Sequence, residues 1–268
     1  MRTIVHLSDL HFGRVDPAIV VPLLDFIRAQ KPDLVAISGD LTQRARTTEY
    51  LAAREFLREI PFPQIVVPGN HDVPLRNPLA RFIRRLDHYR RYITPDLQPS
   101  YKDDEIAVIG VNTARAFTWK DGRINRRQLA KLRKGFQGIG EERLKIVVTH
   151  HPFDLPAGAS GRVVGRSRLA LRTLADCRVD MLLAGHFHIA DTGQTATRYH
   201  IPGYSALIVS SGTSTSTRQR GQANSLNVIR VEQSRLSIER RLWESEATLF
   251  QIASVEHFER SNEGWTRS

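Results

Sequence analysis

The sequence contains one cysteine, Cys177, among its 268 residues. A single cysteine cannot form an intramolecular disulfide, which excludes a disulfide framework as the source of stability. Cys177 lies in a helical pattern, and we interpret it as a buried, unreactive thiol. Cysteine usage of this kind suits a reducing compartment, so a cytoplasmic location is expected.

Long apolar runs are also missing. No stretch approaches the ~20 apolar residues that a membrane-spanning helix needs. The first residues enter a strand pattern directly, without the basic segment and apolar core of a signal peptide. The sequence therefore predicts neither a transmembrane segment nor a signal peptide, and it shows no internal repeats.

Acidic residues are few relative to basic ones. The chain has 28 Asp and Glu against 39 Lys and Arg, a formal net charge of +11. Such a balance favours anionic partners such as phosphate esters, nucleic acid or anionic lipid, although arginine enrichment on solvated faces explains it equally well. The length allows one large α/β domain, or one and a half; we treat residues 1–268 as a single domain.

Five apolar segments share one design, in which a strand pattern ends in groups that can bind a metal ion. The central one, residues 64–68, runs into a tight loop at Pro68 and Gly69. Ligands usually bind where the strands of an α/β sheet end. We therefore expect one shared site from the side chains that follow the five segments: Asp9 and His11; Asp40; Asn70 and His71; His150 and His151; His186 and His188.

The spacing of these groups suits a two-metal site. Residues i and i+2 of extended backbone point the same way, so Asp9 and His11 can bind one ion. Asp40 is the candidate bridging ligand, because a carboxylate can give an oxygen to each of two cations. Carboxylate and imidazole ligands around ions ~3.5–4 Å apart make up such a site. Each block alone could equally be a chance surface turn.

The other segments predict the scaffold. Helices are expected over residues 17–30, with Asp16 as N-cap, and over 47–60, 128–136 and 166–175. Residues 77–92 form a basic amphipathic pattern that suits a polyanion or membrane surface, or more commonly a solvated helix face. Asn112 ends a predicted strand and is a candidate lining residue of the cleft.

The pattern changes after residue 190. Short strand patterns at 198–201, 206–210, 226–231 and 236–242 predict that residues 191–243 form a second, antiparallel sheet packed on the first. The tail, residues 244–268, carries no clear signal. The polar segment 210–220 is either a turn or a loop in which Arg218 or Arg220 holds a phosphate.

Together these blocks resemble the calcineurin-like metallophosphoesterase superfamily. Its pattern is D-x-H, G-D, G-N-H-[DE], a histidine at a strand end and G-H-x-H. The matching residues, in order over 9–188, are Asp9 and His11, Gly39 and Asp40, Gly69 to Asp72, His150, and Gly185 to His188.

The resemblance implies an α/β fold, a four-layer α/β/β/α sandwich with two metal ions at the strand ends. It assigns one ion to Asp9, His11 and His188, the other to Asn70, His150 and His186, and the bridge to Asp40. The family uses Fe, Mn or Zn. His151 is left as an outer residue near the ligands or as a substrate contact.

Within the superfamily, the Gly-Asp-Leu-Thr form is most similar to bacterial class III cyclic-nucleotide and glycerophosphodiester phosphodiesterases. Protein Ser/Thr phosphatases have G-D-x-x-D, whose second Asp orients the histidine of G-N-H. Here Gln43 stands at that position, which leaves the partner of His71 open. A lipid-precursor hydrolase of the superfamily has arginine where this chain has His71.

We therefore expect a two-metal phosphodiesterase acting on cyclic nucleotides or glycerophosphodiesters. A metal-bridging hydroxide would attack phosphorus, and His71 would stabilise or protonate the leaving oxygen. The alternatives are a hydrolase of a nucleotide-linked lipid and a metal-bearing binding scaffold without turnover. The oligomeric state is left open, with a homodimer as one option.

Overall fold

The computed structural model describes residues 1–74, 86–115, 120–217, 222–261 and 264–268. Within these ranges, the helices are α1 Pro17–Gln30, α2 Thr47–Arg58, α3 Asp87–Tyr92, α4 Arg126–Phe136 and α5 Ser167–Asp176. The strands are β1 Arg2–Leu7, β2 Leu34–Ile37, β3 Gln64–Val66, β4 Ser100–Lys102, β5 Ile106–Gly110, β6 Leu144–Val148, β7 Met181–Ala184, β8 Asp191–Gln194, β9 Leu207–Ser210, β10 Ser225–Glu232, β11 Arg235–Glu244, β12 Leu249–Ser261 and β13 Gly264–Arg267.

The strands form two sheets. Sheet I has the order β13-β12-β11-β10-β1-β2-β3, and sheet II has the order β4-β5-β6-β7-β9-β8. Strands β1, β2 and β3 are parallel in sheet I, as are β5, β6, β7 and β9 in sheet II. Parallel strands need crossover connections, which helices supply here, and their carboxyl ends lie at one edge of each sheet.

Three separate apolar cores hold the layers together. Alternate residues of each strand face opposite sides, so Val5 and Leu7 of β1 contact the helix layer of α1 and α2, whereas Ile4 faces sheet II. Sheet II likewise packs against sheet I on one face and against α4 and α5 on the other. The fold is thus the expected four-layer α/β/β/α sandwich.

Helix capping follows the sequence closely. Asp16 accepts a hydrogen bond from the backbone N–H of Ala18, and Pro17 occupies the first turn of α1, as predicted. Asn125 and Gln128 form a reciprocal capping box at the start of α4. Caps of this kind satisfy backbone donors that have no partner inside the helix.

The prediction of a separate antiparallel sheet over residues 191–243 is wrong. Strands β8 and β9 belong to sheet II, where β9 pairs parallel with β7. Strand β10 instead pairs antiparallel with β1, and so extends sheet I. Strands that are neighbours in this part of the sequence therefore belong to different sheets. Each sheet is completed by strands from distant parts of the chain.

Two further sequence predictions need correction. Residues 198–201 do not form a strand; a 3₁₀ turn, Thr195–Thr197, precedes them, and Ile201 makes only an isolated bridge to Tyr204. The tail after residue 244, which had no clear signal, contains all of β12 and β13. A long edge hairpin therefore closes sheet I.

The predicted basic helix over 77–92 lies largely outside the described residues, because the structure describes only its last part, from residue 86 onward. That part contains α3, with Arg90 and Arg91 in its last turn. Among the helices that the structure describes, none has the length and apolar character needed to cross a membrane.

The edge hairpin contributes to the core between the sheets, which gives a stability test. Trp265 is 2% exposed and donates from Nε1 to Oδ1 of Asp180 at 3.1 Å. We expect Trp265→Ala to lower the free energy of unfolding by ~3–5 kcal/mol, because it leaves a cavity and removes one of the two donors to this oxygen, the other being the guanidinium of Arg260. Urea unfolding measures the change. Ile252→Ala, at a position 53% exposed on the same hairpin, is the control, and an equal loss in both variants would contradict the assignment.

Candidate metal centre

The carboxyl ends of the two parallel strand sets meet at one place. Asp9, Asp40 and Asn70 follow β1, β2 and β3 of sheet I, whereas His150 and the pair His186 and His188 follow β6 and β7 of sheet II. His11 lies on the loop after β1. All seven are buried except His186, which is half-buried. The predicted site residues thus come from two sheets rather than from one sheet edge.

The first group of converging atoms comprises Asp9, His11 and His188. Oδ1 of Asp9 lies 3.6 Å from Nε2 of His11 and 3.3 Å from Nε2 of His188, and the two Nε2 atoms are 3.3 Å apart. Ligand atoms at about 2.1 Å from an ion, at tetrahedral angles, lie about 3.4 Å from one another. The spacing of this group therefore fits a common cation.

The second group surrounds Nε2 of His150. That atom lies 3.1 Å from Oδ1 of Asn70, 3.3 Å from Nδ1 of His186 and 3.4 Å from Oδ2 of Asp40. The spacing again fits ligand atoms arranged about one ion.

Asp40 lies between the two groups. Its Oδ2 is 3.4 Å from Nε2 of His150 and 3.8 Å from Nε2 of His11. Its Oδ1 accepts a hydrogen bond from the backbone N–H of His71 at 2.8 Å. Both groups therefore approach the same oxygen, Oδ2, so a bridge would use this one atom rather than one oxygen for each cation.

Hydrogen bonds orient the candidate ligands. Oδ2 of Asp9 accepts from the hydroxyl of Ser8 at 2.6 Å and from the backbone N–H of His186 at 3.0 Å. No donor among the described residues forms a hydrogen bond with the buried Oδ1 of Asp9. Nδ1 of His150 donates to the carbonyl oxygen of Ser38 at 2.8 Å, which leaves the lone pair of Nε2 directed at the cluster.

Backbone strain is concentrated in these residues. Five of the seven have left-handed backbone: Asp9 (φ 52°), His11 (φ 50°), Asp40 (φ 52°), His186 (φ 80°) and His188 (φ 61°). Such conformations cost of order 1–3 kcal/mol each in non-glycine residues and persist where surrounding contacts fix them. Five in one cluster indicate a functional constraint.

A buried polar segment fixes the loop that carries Asp9 and His11. The hydroxyls of Thr213 and Thr215 donate to the carbonyl oxygens of Asp9 and Leu10, each at 2.7 Å. The backbone N–H of Ser214 donates to the carbonyl oxygen of Ser8 at 2.9 Å. This part of segment 210–220 thus restrains the left-handed turns at the site, a role that its polar composition did not reveal.

Asp72 fixes the turn that carries Asn70 and His71. Its carboxylate accepts from the backbone N–H groups of Leu41, Thr42 and Gly69, which ties this turn to the loop of Asp40. Burial, and then the charge of Asp40, raise the pKa of Asp72 to about 6, although the three backbone bonds oppose the shift. We interpret Asp72 as a structural carboxylate.

The cluster keeps two carboxylates charged in the absence of metal. Burial acts to raise the pKa of Asp9 and of Asp40, but neighbouring imidazoles outweigh it and both pKa values fall below the ordinary range. Burial lowers the pKa of His150, yet Asp40 and Asp9 raise it more, to about 9. Burial and the nearby His150 lower the pKa of His186 to about 3. A neutral imidazole is the form that binds metal.

His71 is half-buried, and its ring lies edge-on to that of His11, with centroids 4.9 Å apart. Its Nδ1 donates to the carbonyl oxygen of Gln43 at 2.8 Å. The backbone carbonyl of Gln43 is therefore a hydrogen-bond partner of His71. It takes the place of the second Asp of the G-D-x-x-D pattern, which the sequence lacks.

Of the three predicted substrate contacts, the structure places two in the protein interior, and the third lies outside the described residues. His151 is 2% exposed, and its ring nitrogens bond the hydroxyl of Thr113 at 2.7 Å and the carbonyl oxygen of Lys120 at 2.8 Å. Burial and His186 keep its pKa well below the ordinary value. Asn112 is also 2% exposed, and its Oδ1 accepts from the N–H of Ala114. Arg218 lies outside the described residues.

Several residues that shape the site were missed from the sequence. Three of them donate a hydrogen bond from their own hydroxyl to the loop of Asp9: Ser8, Thr213 and Thr215. The fourth, Ser38, accepts a hydrogen bond from His150 at its backbone carbonyl. The serines at 8 and 38 stand directly before Asp9 and before Gly39, but a lone serine at a strand end carries no specific signal. Thr213 and Thr215 were recognisable only as part of a polar stretch.

Close packing at Gly185 provides a test of the first group. A Cβ at this position would lie 1.8 Å from Oγ of Ser8 and 2.5 Å from Oδ2 of Asp9. We expect Gly185→Ala to displace the Asp9 carboxylate and to weaken metal binding by at least about tenfold, as losses of supporting contacts do. Gly193→Ala, where a Cβ would meet nothing within 4 Å, is the matched control. Metal titration measures the affinity of both variants. Equal affinity would show that close packing at Gly185 does not hold the Asp9 carboxylate in place.

Comparisons with known proteins agree with this geometry. Residues 2–190 match the family described as Calcineurin-like phosphoesterase. Glycerophosphodiester phosphodiesterase GpdQ of Enterobacter lignolyticus is 37% identical over 81 residues, which cover 26% of this chain and 29% of that protein. Probable glycerophosphodiester phosphodiesterase GpdQ of Arcobacter nitrofigilis is 26% identical over 165 residues, covering 60% and 59%. The chain thus spans less than two thirds of the length of these curated relatives.

Solved structures show the same fold. A purple acid phosphatase from yellow lupin superposes with a TM-score of 0.72 at 13% identity, covering 97% of this chain and 54% of that one. A dimetal phosphatase from Danio rerio superposes with a TM-score of 0.65 at 13% identity, covering 90% and 96%. The family match extends from the first strand past the last candidate ligand, His188, and the chain therefore belongs to the calcineurin-like phosphoesterase family.

Proposed function

We propose that the chain is a two-metal phosphodiesterase. The observation that carries the proposal is the position of Oδ2 of Asp40, within 3.8 Å of an imidazole nitrogen from each of two converging groups. A buried oxygen between two sets of nitrogen and oxygen atoms suits a pair of cations that share one ligand. Oδ1 of Asp9 has no hydrogen bond from the described part of the chain, which supports the same conclusion, because a buried carboxylate oxygen normally has a partner.

The residues would divide between two ions. Asp9, His11 and His188 would hold the first, and Asn70, His150 and His186 the second, with Asp40 shared. The mixture of imidazole nitrogen with carboxylate and amide oxygen suits Fe, Mn or Zn. We assign His151 outside the ligand set, because both of its ring nitrogens already have hydrogen-bond partners.

Held by these residues, two such ions would supply charge neutralisation of the phosphate oxygens and a coordinated water whose pKa is lowered towards ~7, which would make a nucleophile available at neutral pH. The chain's own residues position this chemistry. Ser8 and the backbone of His186 hold Asp9, and the carbonyl of Ser38 orients His150. His71, beside the ligands, is our candidate for the acid that protonates the leaving oxygen.

The candidate acid has a suitable hydrogen-bond arrangement. Because a carbonyl oxygen only accepts, Nδ1 of His71 carries the proton in its bond to Gln43. When the ring is protonated, its second proton is on Nε2, from which it passes to the leaving oxygen. The Gln43 carbonyl holds the ring's orientation while that proton is transferred.

The substrate class rests on the relatives. Two are called glycerophosphodiester phosphodiesterases, and a third, from Synechococcus, is called a probable cyclic nucleotide phosphodiesterase. We propose glycerophosphodiesters or cyclic nucleotides for this chain, and diesters in preference to monoesters.

Turnover of bis(p-nitrophenyl) phosphate tests the proposal directly. With added Mn²⁺ we expect release of nitrophenolate, and a higher kcat/KM than for p-nitrophenyl phosphate. Asp40→Ala should lose both ions and the activity, because it removes the shared ligand. Elemental analysis of the same preparations supplies the metal content. Metal-loaded protein without diester turnover would instead identify a binding scaffold.

Substrates with different leaving groups distinguish an acid role of His71 from a positioning role. Nitrophenolate is a stable anion, whereas a glycerol or sugar alkoxide must be protonated as the bond breaks. We therefore expect His71→Ala to keep both metals, to lose modest rate on nitrophenyl diesters, and to lose ~10²–10⁴-fold on glycerophosphodiesters. The measurement is kcat/KM for both substrate types. Equal losses on the two would leave His71 as a positioning residue.

A further inference from the structure

Two loops at the edge of the candidate metal centre run side by side. Phe12, after β1, forms a parallel bridge with Thr42, after β2, and the N–H of Gln43 donates to the carbonyl oxygen of Phe12 at 2.9 Å. The loops then continue to Arg14 on one side and to Arg44 and Arg46 on the other. Three arginines are thereby brought to one part of the edge, which we call the arginine rim.

Glu49 holds the two loops together from below. This carboxylate is 7% exposed and accepts from the backbone N–H groups of Arg44 at 2.7 Å and Arg46 at 3.3 Å. It also lies against Gly13, where a Cβ would be 2.7 Å from Oε1. The buried carboxylate thus accepts two hydrogen bonds from the backbone of the loop that carries Arg44 and Arg46.

The rim carries three arginines against one recorded acidic neighbour among the described residues, Glu49. Arg14 is exposed and Arg44 half-buried, and neither has a carboxylate within ion-pair distance among the described residues. Arg46 is 61% exposed and reaches Glu49 only at 4.0 Å. Some exposed arginines elsewhere are paired, for example Arg28 with Glu59 and Arg133 with Asp176. Three guanidinium groups on adjacent loops, with Glu49 as their only recorded acidic partner among the described residues, suit a phosphate, which arginines bind through several charged hydrogen bonds.

The rim borders the His71 side of the centre. Nδ1 of His71 donates to the carbonyl oxygen of Gln43, directly before Arg44. The N–H of Arg14 donates to the carbonyl oxygen of His11 at 2.8 Å, whose ring contacts that of His71. These two bonds place the backbone of the rim next to His11 and His71 at the edge of the centre.

We propose that the arginine rim binds a second phosphate group of the substrate, next to the diester that is cleaved. The inference rests on the proposed phosphodiesterase function and narrows its substrate to diesters that bear a further phosphate. Two sources supply this chemistry: a phosphorylated nucleotide chain and a phosphorylated glycerophosphodiester.

Matched pairs of substrates test the proposal. The dinucleotide TpT is compared with pTpT and TpTp, which carry a terminal phosphate, and glycerophosphoglycerol is compared with its terminal phosphate ester. We expect metal-loaded wild-type protein to prefer at least one phosphorylated member by about tenfold or more in kcat/KM, as charged hydrogen bonds to phosphate allow. The pair with the larger preference identifies the source.

Two triple variants remove equal charge from opposite edges. Arg14→Gln/Arg44→Gln/Arg46→Gln should bring the preference ratio to about 1. The control, Arg54→Gln/Arg58→Gln/Arg91→Gln, changes a cleft of 570 Å³ beside the start of β3, at the far end of the strand from Asn70. The control should keep the wild-type preference. A ratio that falls equally in both variants would indicate only the overall charge of the protein and would overturn the proposal.

A binding measurement separates this inference from the proposed function. Calorimetry with thymidine 3′,5′-bisphosphate and the metal-free chain should show affinity at least about tenfold weaker in the rim variant than in the control. Equal affinity of the rim variant and the control variant would overturn the proposed phosphate site. If wild-type protein hydrolyses bis(p-nitrophenyl) phosphate but shows no preference for phosphorylated diesters, the rim proposal fails alone. Arg14→Gln, at an exposed side chain, gives the same direction of change should the triple variant fold poorly.

Discussion

The structure depends on two carboxylates that are buried side by side. Asp9 is 0% exposed and Asp40 is 1% exposed, and burial and the charge of Asp40 both act to raise the pKa of Asp9, against the imidazoles that lower it. Buried charges of one sign are costly unless opposite charge lies close by. The chain surrounds these two with imidazoles, and within the described ranges no group forms a hydrogen bond with Oδ1 of Asp9. A pair of cations would satisfy both requirements at once.

The ligand geometry is held by ordinary hydrogen bonds at some distance from the cluster. Left-handed turns at Asp9 and His11 place these side chains on one side, and the hydroxyls of Thr213 and Thr215 restrain the intervening carbonyl groups. The carboxylate of Asp72 likewise restrains the turn at Asn70, by accepting a hydrogen bond from the backbone N–H of Gly69. Strain of this kind persists only where the surroundings over-determine it, so these contacts belong to the functional architecture.

The candidate ligands also join the two sheets. Sheet I provides Asp40 and sheet II provides His150, and the contact between them is 3.4 Å. Cations bound here would link the layers across the edge of their shared apolar core. Metal binding should therefore contribute to the stability of the whole sandwich, as it does where ligands come from separate elements.

Much of this architecture was readable from the sequence. Strands buried on both faces appear as unbroken apolar runs, so β1, β2, β6 and β7 could be placed along with the polar groups that end them. Local chemistry also fixed the start of α1, because Asp16 and Pro17 act within a single turn. The identities of the candidate ligands follow directly from these local patterns.

Only the tertiary structure decided how the strands are shared between sheets. Pairing of β10 with β1, and of β9 with β7, joins segments far apart in the sequence, and no local pattern encodes such a partner. The same holds for the carbonyl of Gln43 that bonds His71. Every residue has a carbonyl group, so its use as a hydrogen-bond partner leaves no mark in the sequence and is set by folding alone.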